Sequence, residues 1–126
     1  HLSSDTGVVT LCQAGHPSPL ILRADGKTEF HEAFGMPIGL VDAVEYSSSS
    51  IKLRKGDRLL IYSDGITECP DPQGTLLDEH GLARILSEKK EMPGPRVLES
   101  LVEALEIHAG HSDFPDDLSA VLVERR

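Results

Sequence analysis

Over the first half of the chain, apolar residues come in short β-rich runs broken by Gly, Pro and Asp-Gly. Val8-Val9-Thr10-Leu11-Cys12-Gln13-Ala14 reads as a strand that stops at Gly15, and His16-Pro17-Ser18-Pro19 as a rigid polar connection. Leu20-Ile21-Leu22-Arg23 reads as the next strand. Asp25-Gly26 is a hairpin signal with Thr28-Glu29-Phe30-His31 as its return. Together these stretches predict an antiparallel meander. Residues 34–40, Phe-Gly-Met-Pro-Ile-Gly-Leu, form an apolar loop expected to cover an edge of the core. Val44-Glu45-Tyr46 and Ile51-Lys52-Leu53 alternate, and the four serines at 47–50 fit a strand with two of them exposed. Arg54-Lys55-Gly56-Asp57 is a turn leading to Arg58.

The next stretch, Leu59-Leu60-Ile61-Tyr62-Ser63-Asp64-Gly65-Ile66-Thr67-Glu68, organises the rest. Its apolar run reads as a buried strand ending at a carboxylate, and Gly65 permits a sharp turn where a side chain would obstruct. A bare strand followed by an Asp-Gly turn is the simpler reading of these residues. Beyond the Pro-rich loop at 69–74 the period becomes helical. Leu82, Ile85 and Leu86 share one face of a helix starting at Asp78, which Met92-Pro93-Gly94-Pro95 ends. A second helix is predicted from about Pro95 to Ala109, with Val97, Leu98, Leu101, Val102 and Leu105 on one stripe. After a loop at 110–115, Asp116-Asp117 introduces a terminal strand, Leu118-Ser119-Ala120-Val121-Leu122-Val123.

With 126 residues, 39% hydrophobic and 26% charged, the chain suits one globular domain with a modest core. A net charge of −9 argues against a nucleic-acid or anionic-membrane surface, and suits both a cation-binding protein and an ordinary soluble one. No apolar run is long enough to span a bilayer, and the first residues lack the pattern of a secretory signal. The chain begins at His1 without Met and is soon strand-like, as expected of a start inside a larger domain. Cys12 and Cys69 have no short metal-ligand spacing, and two cysteines make no disulfide framework, so reduced thiols in a cytoplasm are expected.

Asp64 ends one apolar strand and Asp116 precedes another. If those strands are antiparallel neighbours, both carboxylates fall at one end of a sheet. Paired carboxylates can bind a divalent cation or perform acid–base work.

Five motifs occur in register: Ala14-Gly15-His16-Pro17-Ser18-Pro19-Leu20, Gly35-Met36-Pro37-Ile38-Gly39, Lys55-Gly56-Asp57, Tyr62-Ser63-Asp64-Gly65-Ile66-Thr67-Glu68 and Asp116-Asp117-Leu118-Ser119. Together they resemble the C-terminal half of bacterial PPM-type serine/threonine phosphatases, the SpoIIE-like branch of the protein phosphatase 2C superfamily. The resemblance covers essentially the whole chain. It implies an α+β fold: an antiparallel β-sandwich flanked by α-helices, here an incomplete domain. It also implies hydrolysis of phosphoserine or phosphothreonine by attack of metal-bound water, with two Mn2+ or Mg2+ ions in the complete domain. By the same resemblance Asp64 and Asp116 are metal ligands, Asp117 is a neighbouring or outer-shell group, and Gly65 lets substrate and water approach. The implied partner is a phosphorylated protein, such as an anti-sigma-factor antagonist. Uncovered strands imply pairing with another chain, a dimer included.

The sequence departs from that pattern in one main respect. The family's first metal motif, whose Asp bridges the two ions, is not found in these residues, and the regulatory helices of this branch precede the matching region. Gln13 stands where relatives often carry Asn. A catalytically silent domain that only binds a partner is therefore the alternative to an enzyme. Haloacid-dehalogenase-like phosphatases also end a strand in an Asp motif, but Tyr62 stands where their nucleophilic Asp would be. His16 can contact phosphate or serve as a structural hydrogen-bonding residue. Glu68 can orient a water on the metal or lie on the surface. His108, His111 and Asp113 read more simply as solvated residues.

Overall fold

The computed structural model describes residues 1–33, 35–40 and 45–126. Seven strands and three helices follow in the order β1 (Leu2–Ser3), β2 (Val8–Cys12), β3 (Leu20–Leu22), β4 (Thr28–Phe30), β5 (Ser48–Lys52), β6 (Arg58–Tyr62), α1 (Asp64–Thr67), α2 (Asp78–Ser87), α3 (Gly94–Ala109) and β7 (Ala120–Glu124). The strands form two antiparallel sheets, β1-β2-β5 and β4-β3-β6-β7.

The side-chain period of two explains how the layers stack. In β3, Ile21 points toward the smaller sheet and joins Val9, Ile51, Leu53 and Leu59 in one core. Leu20 and Leu22 point the other way and join Leu60, Tyr62, Leu82, Leu86, Val97, Leu101 and Leu105 beneath the helices. All three residues of β3 are therefore buried, as expected of a strand covered on both faces. Strand β6 follows the same rule, with Leu59 in the first core and Leu60 and Tyr62 in the second. This is the expected α+β sandwich with helices outside.

Several expectations change in detail. Strand β2 does not continue a meander into β3; it pairs with β1 and β5 in the other sheet. The Pro-containing connection at 15–19 carries the chain across the sandwich, so Val9 faces Ile21 through the core. The serine strand forms over Ser48–Lys52 with Ser48 and Ser50 exposed, while Val44 lies outside the described residues. Strand β7 starts at Ala120, two residues later than expected. In α3, Val97, Leu101 and Leu105 are buried at a spacing of four, whereas Val102, on the flank of that stripe, is 43% exposed. The loop expected to cover the core edge does not bury its apolar residues: Ile38 is 81% exposed, and Met36 and Leu40 are exposed as well. Its anchor is at Gly35, whose carbonyl accepts the Gly15 N–H at 2.9 Å. A Cβ on Gly35 would lie 1.6 Å from the Gln13 carbonyl oxygen, so the chain passes too close there for any side chain. Phe34 lies outside the described residues.

The far end of the larger sheet is closed by Asp57, a residue quoted above only as part of a motif. Its carboxylate is fully buried and accepts the Ala24 N–H at 2.9 Å, the Arg54 N–H at 2.8 Å and the Arg23 guanidinium at 2.8 Å. Burial alone would raise its pKa. The Arg54 N–H, the Arg23 guanidinium and the Ala24 N–H outweigh that and hold the carboxyl below its usual range. Nearby, Arg58 pairs with Glu124 at 2.6 Å and donates to the carbonyls of Lys89 and Met92 after α2.

Candidate functional site

Strand register decides which loops meet. Leu20 stands opposite Phe30 and Leu60, and Tyr62 stands opposite Ala120. The loops before β3 and after β4, the residues after β6 and those before β7 therefore gather at one end of the larger sheet. His16, Asp64, Glu68, Asp116 and Asp117 all belong to those segments, and all five are exposed.

The segments around Asp64 and Asp116 are joined directly. The Ser63 N–H donates to the Ser119 carbonyl at 2.9 Å, and the Ser119 N–H donates back to the Ser63 hydroxyl at 3.0 Å. That hydroxyl in turn donates to the Asp117 carbonyl at 3.3 Å. A Cβ on Gly65 would lie 2.6 Å from the Asp117 carbonyl oxygen and 3.5 Å from the Asp116 Cβ. Gly65 is thus needed for the close approach of the Asp117 carbonyl, and its backbone is helical rather than sharply turned. In place of a simple Asp-Gly turn, Asp64–Thr67 forms one turn of helix.

Asp116 is oriented by its own chain: its Oδ1 accepts the Asp117 N–H at 2.7 Å. Among the described residues no hydrogen bond to a protein donor occupies the side chains of Asp64 or Asp117. Glu68 follows one turn after Asp64, and its N–H donates to the Asp64 carbonyl at 2.8 Å. The His16 carbonyl accepts the Gln13 side-chain amide, a bond that fixes the loop but leaves its ring uninvolved. His108 is half-buried and its Nε2 meets the Cys69 carbonyl at 3.1 Å, a structural bond, while His111 and Asp113 are exposed. Among the described residues no three His, Cys, Asp or Glu side chains converge as a metal cluster. The carboxylates of Asp64, Glu68, Asp116 and Asp117 are open to solvent. The larger spaces lie elsewhere, such as a groove of about 550 Å³ between α2 and α3 lined by Leu77, Arg84, Ile85, Lys89 and His108.

Two residues near this end, quoted above only within a motif or against another family's pattern, have surroundings that the sequence reading did not assign. Ser63 links the two segments. Tyr62 has a buried hydroxyl without a hydrogen-bond partner among the described residues, and burial, with the Glu79 carboxylate, raises its pKa. The signal for Ser63 was its position between strand and Asp; nothing in the sequence marked its partners, which lie more than fifty positions away.

Residues 1–126 match the family model described as Stage II sporulation protein E (SpoIIE). The chain belongs to the SpoIIE family. Among this family member's curated relatives, the phosphoserine phosphatase RsbU of Bacillus subtilis is 24% identical over 118 residues, covering 93% of this chain and 35% of RsbU. The phosphoserine phosphatase RsbP of the same organism is 28% identical over 111 residues, covering 88% of this chain and 26% of RsbP. The chain thus spans about a third or less of these relatives. Of the solved structures, the RsbU and RsbW domains of Rv1364c from Mycobacterium tuberculosis superpose with a TM-score of 0.73 at 28% identity, over 99% of this chain and 34% of that one. The SiaA-PP2C domain of Pseudomonas aeruginosa gives a TM-score of 0.80 at 18% identity, over 94% of this chain and 47% of that one. The Mn-presoaked phosphatase domain of SpoIIE from Bacillus subtilis gives 0.77 at 18% identity, over 98% and 53%. The fold of this SpoIIE-family chain is therefore that of part of a PP2C-type phosphatase domain.

Proposed function

We propose that the chain is the C-terminal part of a PPM-type domain that removes phosphate from phosphoserine or phosphothreonine in bacterial signalling. The observation that carries this reading is the β6–β7 pairing, which ties the Asp64 and Asp116 segments together at one sheet end in a family whose relatives include phosphoserine phosphatases. Coverage of about half of isolated phosphatase-domain chains, 47% and 53%, supports the assignment to part of a domain.

The donor chemistry fits Mn2+ or Mg2+. Both are hard cations that prefer carboxylate oxygens and keep several water ligands, and Asp64 and Asp116 offer exposed carboxylates with solvent access. With no third acidic or His group converging among the described residues, this chain supplies part of a coordination shell. When bound, such ions would activate water and stabilise charge on the phosphoryl oxygens. In this reading Asp64 and Asp116 hold the cation and Asp117 supports that shell. The Asp117 N–H keeps the Asp116 carboxylate in one orientation, and Gly65 keeps the approach free of side-chain atoms. Glu68 and His16 lie at the same end and are available to water or to the phosphoprotein. The substrate we infer is a phosphorylated anti-sigma-factor antagonist or a similar signalling protein. With a bacterial signalling protein as substrate, we infer that the reaction takes place in the cytoplasm; among the described residues no helix is long and apolar enough to cross a membrane, and both cysteines are free.

A partner-binding role without catalysis is the second reading, favoured by the exposed apolar side chains of Met36, Ile38 and Leu40 beside the carboxylate end. Asp64→Asn in the protein carrying the whole domain separates the two. Near-complete loss of Mn2+-dependent phosphate release is expected of the enzyme, because an amide replaces a charged ligand poorly. Unchanged release would refute the assignment.

A further inference from the structure

We propose that Ser63 is a positioning residue whose hydroxyl holds the Asp116-bearing segment in place beside Asp64. The inference rests on the reading of Asp64 and Asp116 as metal ligands. Ser63 occupies the N-cap of α1, where a serine hydroxyl ordinarily accepts an N–H from the first helical turn. Here it makes no capping bond. Its backbone is extended, φ −83° and ψ 156°, and the hydroxyl turns instead toward the start of β7. There it accepts the Ser119 N–H at 3.0 Å and donates to the Asp117 carbonyl at 3.3 Å.

The hydroxyl is thus used as both donor and acceptor on two backbone groups that bracket Leu118. With the Ser63 N–H bonded to the Ser119 carbonyl, three hydrogen bonds fix one residue of the β6 end to residues 117–119. Asp116 sits one residue outside this clamp, and its Oδ1 is held by the Asp117 N–H, so the placement of Asp117 is passed on to the Asp116 carboxylate. On the other side Gly65 lets the same carbonyl of Asp117 approach α1. Without the hydroxyl, the backbone N–H pairing at Ser63 remains but the rotation of the 116–118 segment is no longer set. Ser119 is exposed, so water can replace the lost acceptor and the fold survives.

The test uses Ser63→Ala, Ser63→Thr and Asp64→Asn in the protein carrying the whole domain, with amide hydrogen exchange and amide chemical shifts by NMR, and an Mn2+ titration by EPR. Ser63→Ala should speed exchange at Ser119, shift the amides of Asp116, Asp117 and Leu118, and weaken Mn2+ binding about tenfold or more, the usual effect of removing a group that orients a ligand. Ser63→Thr keeps the hydroxyl and should restore both. Unchanged exchange and shifts in Ser63→Ala, or Mn2+ affinity equal to wild type while Asp64→Asn loses binding, would overturn the positioning role. Binding in Asp64→Asn equal to wild type would overturn the ligand assignment itself, and the positioning role with it.

Discussion

Two aspartates at opposite ends of one sheet, Asp57 and Asp64, meet opposite surroundings. Asp57 is buried and saturated with donors, whereas Asp64 is exposed at the opposite end. Removing Asp57 strands the Ala24 and Arg54 N–H groups and takes one acceptor from Arg23, which keeps Glu29 and the Lys52 carbonyl, so Asp57→Ala should cost about 1–3 kcal/mol for each stranded group in chemical denaturation. The pH dependence has a definite sign. A carboxyl held below its ordinary value of 3.8 contributes stability that is fully present above that value and disappears as pH falls through its lower folded value. Acid unfolding followed by circular dichroism should therefore show a loss of stability below about pH 4, and Asp57→Asn should flatten that part of the curve. Gly65 makes a different point. Gly65→Ala forces a Cβ against the backbone oxygen of Asp117, which cannot move aside as a flexible side chain would. It should displace residues 116–118, seen as shifted amide resonances there with the β3–β6 amides unchanged. Asp57 and Gly65 were visible in the sequence as residues of motifs. The groups they meet were not, because the Arg23 guanidinium and the backbone atoms of Ala24, Arg54 and Asp117 are brought to them by folding.

Elements were legible where burial imposed a period. The β3, β6 and α2 stretches were readable because each has a face, or two, that only a core can accept. That the end of β6 and the start of β7 reach one sheet end followed from the sequence only on the condition that the two strands are antiparallel neighbours, which the register meets. The division into two sheets was not readable for β2, since a strand's own alternation does not say whether its neighbour lies beside it or across the core. The stripe of α3 was read one column too wide for the same reason: the period gives a face, and packing decides its margin. Leu101→Ala should cost about 2–5 kcal/mol, because Leu101 is 2% exposed in the helix-side core. Val102→Ala, on the exposed flank, should stay within about 0.5 kcal/mol. Thermal or urea unfolding of the two variants checks the contrast.

For the whole molecule, the two ends of the larger sheet divide the labour. One is closed by the Asp57 and Arg58 networks and holds the Lys55-Gly56-Asp57 motif; the other carries the loops that hold the remaining four motifs. The open character of that second end was not legible. The apolar loop at 35–40 reads as a cover, yet its described side chains face outward. On the proposed reading, in which Asp64 and Asp116 make up part of a coordination shell, phosphate release by the isolated 126 residues should be undetectable beside that of the intact domain, and its Mn2+ binding weaker. Equal activity in both would place the catalytic ligands wholly within this chain. The most direct measurement is an Mn2+ titration of the intact domain across Asp64→Asn, Asp116→Asn and the double variant. If the β6–β7 register makes one site of the two carboxylates, each single substitution weakens binding at that site and the double variant departs from the sum of the singles. Strictly additive effects, or one substitution without effect, would show that Asp64 and Asp116 do not share an ion.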